Sequence, residues 1–162
     1  MLRLLASYDA ALPHFEDGRI NYRGAESAPV LQAFVLAEGE LLLLRRSEKM
    51  SYGGKWHGVA GFLDEVRPLQ EKVFEELREE LGVLPEHVAG MRAGDPAREQ
   101  DQILLIVHPV LVEMRRKVPI TLDWEHSEHR WIRPEDITAF DTVPNDDKML
   151  ARALAGTPLA LD

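Results

Sequence analysis

The chain has 162 residues and a formal net charge of −9, with 19 Lys and Arg against 28 Asp and Glu and no cysteine. The length suits one globular domain with a short extension, and an apolar fraction of 45% is enough for a core, so disorder is excluded as the main state. The charge argues against coating of a nucleic-acid polymer, which needs Lys and Arg to displace counterions; the lack of cysteine excludes disulfides, thiol catalysis and cysteine-ligated metals. No apolar run approaches the roughly 20 residues of a membrane span. The opening Met1-Leu-Arg-Leu-Leu-Ala-Ser-Tyr-Asp meets an acid too early for a secretory segment, so a soluble cytoplasmic protein is expected.

Residues 13–24, with Asp17-Gly18 between Phe15 and Ile20, read as a small hairpin. Val30 to Ala37 and Leu41 to Arg45 are apolar strands split by Glu38-Gly39-Glu40. A Gly-rich loop follows over 47–58, and Val59 to Leu63 is a short strand. Pro68 to Leu81 reads as a helix: proline suits its first turn, Val73, Leu77 and Leu81 repeat at i, i+4 and i+8, and Gly82 is a C-terminal cap. Ile103 to Met114 is a long strand, and Pro109 inside it predicts an edge position or a bulge. Arg130 to Ile132 is a short strand with Trp131 in the core, and Val143 to Leu154 a second helix. Strands outnumber helices without βαβ alternation, which predicts an α+β mixed sheet with helices packed on it.

The negative charge is concentrated. Residues 64–82 carry seven acids against three bases and residues 123–136 five against two, whereas 45–55 carries Arg45, Arg46, Lys49 and Lys55 against Glu48 alone. In the predicted helix, Glu75, Glu76, Glu79 and Glu80 form two like-charge i,i+4 pairs, each costing roughly 0.2–0.5 kcal/mol. They lie in the C-terminal half, where the helix dipole disfavours anions by roughly 0.3–1 kcal/mol. A helix selected for stability alone would carry its acids early. This placement points to a divalent-cation site with oxygen ligands, suited to Mg2+ or Mn2+.

The stretch Gly61-Phe-Leu-Asp-Glu-Val-Arg67-Pro-Leu-Gln-Glu-Lys-Val-Phe-Glu75-Glu76-Leu77-Arg78-Glu79-Glu80-Leu81-Gly82-Val83 resembles the signature of Nudix (MutT-like) hydrolases, G-x5-E-x7-R-E-U-x-E-E-x-G-U with U aliphatic. Gly61, Glu76, Leu77, Glu79, Glu80, Gly82 and Val83 match it. Leu41 to Arg46, Gly54-Lys55-Trp56 and the acidic loop from Glu125 to Ile132 are similar to the family's flanking strands and loops, so the resemblance covers about residues 30–154. Two positions depart from the pattern: arginine at 67 where the family has glutamate, and glutamate at 75 where it has arginine. The family's arginine is thought to orient the metal-binding glutamate beside it, and the double exchange is expected to form a charge-swapped pair, Arg67–Glu75, that preserves the clamp between loop and helix.

The resemblance implies a Nudix fold, an α/β/α sandwich, with residues 1–28 as an extension packed on a domain spanning 29–162. It implies hydrolysis of a diphosphate bond in a nucleoside diphosphate derivative with Mg2+ or Mn2+. Glu76 and Glu80, one helical turn apart, are the expected metal ligands, with the carbonyl of Gly61. Glu79 ligates or serves as base, and Glu125, with Glu128 second, is the further carboxylate from outside the signature. Arg45, Arg46 and Lys55 are placed to grip phosphates. Tyr52, Trp56 and Phe15 are candidates for stacking on a base, Trp56 having core packing as its other role. His57 is a candidate to face the substrate, and His126 and His129 either shuttle protons near neutral pH or serve surface or structural roles. The 13–24 hairpin caps the pocket or pairs with a second copy in a homodimer. An isopentenyl-diphosphate-isomerase-like chemistry is disfavoured, because it uses a cysteine. A Nudix-fold nucleotide sensor that does not hydrolyse is the alternative, supported by the exchanges at 67 and 75.

Overall fold

A computed structural model describes residues 1–161, which run in the order α1 (Leu2–Ala11), β1 (Ser27–Ala37), β2 (Glu40–Arg46), β3 (Trp56–His57), β4 (Val59–Phe62), α2 (Leu69–Leu81), β5 (Val88–Ala93), β6 (Ala97–Gln100), β7 (Leu104–Met114), β8 (His126–Ile132), α3 (Asp146–Leu154) and β9 (Thr157–Pro158). All the strands belong to one mixed sheet. At its centre β1 pairs in parallel with β7, from Ser27 opposite Leu104 to Leu36 opposite Glu113. The other pairings are antiparallel: β2 and β4 share the second side of β1, β3 and β8 extend β2, and β5 and β6 flank β7.

Both faces of this sheet are covered, which is why β1 and β2 read as continuous apolar runs instead of alternating ones. On one face Leu31, Ala33, Val35, Leu42 and Leu44 pack against Leu69, Val73, Leu77 and Leu81 of α2. On the other, Phe34, Leu41 and Leu43 pack against Met149, Leu150 and Ala153 of α3. The result is an α+β sandwich with the mixed sheet between helices. α2 stops where expected: Gly82 adopts φ 69°, its N–H reaches the carbonyl of Arg78, and that of Val83 reaches Leu77.

Several elements differ from expectation. α1 has no counterpart in the sequence reading, because it buries only Leu5 and shows little periodicity. Residues 13–24 close a turn with one isolated bridge, His14 to Ile20, and not a two-stranded hairpin. β5 and β6 were not expected: β5 contains Gly90 and β6 is the polar run Ala-Arg-Glu-Gln. β7 is a central strand. Pro109 is tolerated because β5 pairs with β7 from Val110 onward and β6 only up to Val107. Its missing N–H therefore faces the gap, where Gly94 donates to its carbonyl at 2.9 Å. Trp131 lies at the margin of the core with the Lys117 ammonium 5.3 Å from its ring centre, while Trp56 is within the core.

Leu77 is fully buried between α2 and the sheet. Leu77→Ala is expected to lower stability by about 2–5 kcal/mol, read as a drop in the urea midpoint at unchanged slope.

Candidate active site

The acids converge where β4 hands over to α2. The connecting loop is pinned by residues far away in sequence. The Leu63 N–H donates to the carbonyl of Pro29 at 2.9 Å, the Tyr22 hydroxyl donates to the carbonyl of Leu63 at 2.6 Å, and the Ile20 N–H donates to that of Asp64 at 2.8 Å. Gly61 ends up against Glu76. A Cβ added there would fall 2.8 Å from the Cδ and Oε1 of Glu76, so only glycine lets this carboxylate lie along the backbone of β4.

Glu76 and Glu80 stand one turn apart on α2, and burial raises both carboxyls. Burial, then Glu76, Glu125 and Asp123, push the Glu80 carboxyl far above the usual range. Its Oε2 is buried without a hydrogen-bond partner, and its Oε1 lies 3.5 Å from Nε2 of His126. The far side of that imidazole, Nδ1, is 3.0 Å from Asp123, whose carboxylate also accepts the N–H of Glu125 at 3.2 Å. Glu125 is thereby held beside the helix. Burial, then Asp123, Glu76 and Glu79, raise its carboxyl, against the opposing charge of Arg46. Glu79 is exposed on α2, and Glu128 is exposed on β8 opposite Arg45, apart from this group.

Arg67 and Glu75 do meet, with Nη2 2.8 Å from Oε2. They are not alone. Lys72, with its side chain 4% exposed, places Nζ 2.6 Å from Glu75, 3.1 Å from Asp64 and 3.3 Å from Glu76. Arg19 reaches the other oxygen of Glu75 at 3.3 Å. Burial would raise the Glu75 carboxyl, but Lys72, Arg67 and Arg19 outweigh it and hold it below its ordinary value. Burial would likewise depress the Lys72 ammonium, yet Glu75, Asp64 and Glu76 hold it above the lysine norm. Sequence reasoning missed both cations: Lys72 occupies an unspecified position of the signature, and Arg19 is 56 residues from its partner.

The bases expected to grip phosphates have local partners. Arg45 donates to the carbonyl of Gly54 at 3.1 Å, Arg46 to that of Ser51 at 2.6 Å, and Lys55 pairs with Asp141 at 2.8 Å. Tyr52 is exposed, with its hydroxyl 3.3 Å from Asp101. Trp56 is packed edge-on against Phe140, at 5.9 Å between ring centres. His57 belongs to a buried polar cluster with Gln32 and Asp146. His57 Nδ1 lies 2.9 Å from Asp146, and Gln32 donates to the same carboxylate at 2.8 Å. Glu99 stands near Asp146 and His57 with a buried, unpartnered Oε1. Nothing in the polar β6 run or in a single Gln within an apolar strand announces that cluster.

The groups that fit a cation are two carboxylates, Glu76 and Glu80, and the Gly61 carbonyl. They are oxygen donors only, and they include a buried Glu80 oxygen with no hydrogen-bond partner. Among the described residues, no three acidic or histidine side chains form a ready-made cage. Oxygen donors of this kind suit a hard divalent cation. Two open depressions, of about 450 Å3 at Gly94 and Arg152 and about 530 Å3 at Met1, Gln70 and His108, contain none of these acids. The chemistry is marked by the carboxylates and not by surface depth.

The NUDIX domain family model matches residues 28–153. A MutT protein from Methanosarcina mazei Go1 has a similar structure, at 25% identity and TM-score 0.66, over 80% of this chain and 94% of that one. An Ap4A hydrolase from C. elegans is similar at 18% identity and TM-score 0.62, over 81% and 96%. A bifunctional NMN adenylyltransferase/ADP ribose pyrophosphatase from Francisella tularensis is similar at 15% and 0.68, over 94% of this chain but 46% of that one. No curated protein sequence matches this one. A mixed sheet between helices, with the signature's glutamates in the second half of α2 and Glu76 against Gly61 of β4, defines a Nudix-type pyrophosphohydrolase, and the chain belongs to the Nudix family. Enzymes of that family generally use divalent metal ions. No helix among the described residues is long and apolar enough to cross a membrane.

Burial and the neighbouring acids favour the protonated form of the Glu80 carboxyl, and a carboxyl gives up its proton when it binds a metal, so adding Mn2+ to the metal-free protein is expected to release protons. A pH indicator in weak buffer reads this release, and Glu80→Gln is expected to abolish it.

Proposed function

We propose that the chain is a metal-dependent hydrolase, working in the cytoplasm, that cleaves a diphosphate bond in a nucleoside diphosphate derivative of the nucleotide-sugar, dinucleotide or nucleoside triphosphate type. The observation that carries this is the grouping of Glu76, Glu80 and Glu125 beside the Gly61 backbone, with a buried Glu80 oxygen that nothing in the protein satisfies. Bound there, Mg2+ (or Mn2+) would neutralise diphosphate charge and acidify a water. Glu76, Glu80 and the Gly61 carbonyl are its ligands. Glu125 takes the proton of the attacking water, a role its raised carboxyl pKa favours, and Glu79 is the second candidate for that base.

Arg45, Arg46 and Lys55 steady phosphates beyond the metal by exchanging their local partners for phosphate oxygens. Tyr52 is exposed and suited to stack on a base, whereas Trp56 backs the wall from inside the core. The Gln32–His57–Asp146 cluster offers the hydrogen-bonding groups that a base edge requires. Residues 1–28 form an extension on a hydrolase domain spanning 29–162. The contacts of Ile20 and Tyr22 with the signature loop favour an intrachain role for this extension over pairing in a homodimer.

A nucleotide sensor without turnover rests on the exchanges at 67 and 75. Since Arg67 and Glu75 still meet at 2.8 Å, the exchange supports a retained clamp and a working enzyme. The test is phosphate release, after treatment with a phosphomonoesterase, from ADP-ribose, dinucleoside polyphosphates and nucleoside triphosphates with and without Mg2+. Metal-dependent turnover is expected on at least one of them. Glu80→Gln should abolish it, and Glu125→Gln should lower kcat by about 10²–10⁴. Absence of turnover at high enzyme concentration, together with a nucleotide-dependent rise in Tm, would favour the sensor.

A further inference from the structure

The signature's exchange of charge at position 75 leaves a problem that the Arg67–Glu75 pair does not solve. That pair joins loop to helix, but it puts an acid where the family has a cation next to Glu76. We propose that Lys72 is the positioning residue for Glu76, supplying from one turn earlier in α2 the positive charge that the family's box places at 75, with Glu75 converted into the anchor that holds Lys72.

The geometry is that of a built site. Lys72 sits at i−4 from Glu76, on the same helix face. Its stem is buried and its ammonium is shared among three carboxylates: Glu75 at 2.6 Å, Asp64 at 3.1 Å and Glu76 Oε1 at 3.3 Å. A buried ammonium is stable only when paired in this way. The anchor is itself secured. Glu75 gives Oε2 to Lys72 and Arg67, and Oε1 to Arg19, which also stands 3.9 Å from Asp64 and 3.7 Å from Glu65. Arg19 lies outside the family-matched residues 28–153. The segment carrying it is fixed to the signature loop by the Ile20 N–H and the Tyr22 hydroxyl, and the Tyr22 ring stacks on Phe62 at 5.7 Å. Four positions, 19, 67, 72 and 75, thus act together to set the plane of one carboxylate.

The proposal rests on Glu76 being a metal ligand, and the test separates the two. Mn2+ binding to the full chain is measured by electron paramagnetic resonance, with near-UV circular dichroism and Tm recorded for every variant. Wild type is expected to bind and Glu76→Gln to lose binding; equal binding by both would overturn the ligand assignment itself. Lys72→Met removes a positive charge, so Coulomb's law alone predicts tighter Mn2+ binding. Loss of positioning predicts weakening, by about 10–100-fold as for other groups that orient ligands. Lys72→Arg should stay within about threefold of wild type. Wild-type or tighter binding by a folded Lys72→Met, alongside loss in Glu76→Gln, would overturn the positioning role and leave the ligand assignment standing. The triple variant R67E/E75R/K72M restores the family pattern, and its introduced arginine should return binding to within about threefold of wild type. If Lys72→Met does not fold, the triple variant carries the test. Recovery supports the replacement, and a folded triple variant that fails to bind overturns it.

Discussion

The repulsion among carboxylates on two turns of α2 is the constraint that organises the rest of the site. An isolated helix with this sequence would relieve it by fraying or by taking up protons. The fold instead divides the acids into two groups. Glu75, with Asp64 and Glu65, is met by Arg67, Lys72 and Arg19, so its charge is neutralised from within the chain. Glu80, with Glu76 and Glu125, meets the edge of a buried imidazole, a share of Lys72 and the more distant charge of Arg46. One group is therefore neutralised within the chain, and the other keeps an excess of negative charge. The helix tolerates the imbalance because its opposite face, Val73, Leu77 and Leu81, is fixed in the core.

This division explains how a protein with net charge −9 can act on an anionic substrate. The excess acid is local, and a divalent ion held there, as proposed, would change the sign of the field that a diphosphate meets. Arg45, Arg46 and Lys55, at the β2 end and in the following loop, each rest on a carbonyl or a surface carboxylate and not in a buried pair. Surface pairs of that kind are worth about 0–1 kcal/mol, so exchanging them for the phosphate oxygens of the proposed substrate would cost little.

The parts of the structure visible in the sequence are those whose local pattern and tertiary role agree. β1 and β2 are apolar throughout because both faces are buried, and α2 shows its stripe and its cap. α1, β5 and β6 were hidden for the opposite reason: one buries a single leucine, and the others are flanking strands with polar or glycine-broken runs. Pro109 misled because proline excludes a ladder partner only on its own N–H side, and whether that side is occupied depends on where β5 and β6 stop. At the site, spacing along the helix made Glu76, Glu80 and the Arg67–Glu75 pair legible. Lys72 was invisible because a lysine in a helix is ordinarily a solvated residue, and its burial depends on Asp64 folding back over it. Arg19 and the Gln32–His57–Asp146 cluster depend on contacts between remote segments, which no local pattern encodes.

The parallel pairing of β1 with β7 bears on how the molecule comes into being. Ser27 waits for Leu104, more than a third of the way further along the polymer, so the sheet's central ladder cannot close on the ribosome until most of the chain has emerged. Contacts of this separation slow folding, because the entropy of closing the loop is spent before the pairing rewards it. During that interval the first-made segment, carrying Arg19, and the acidic helix are already available to each other.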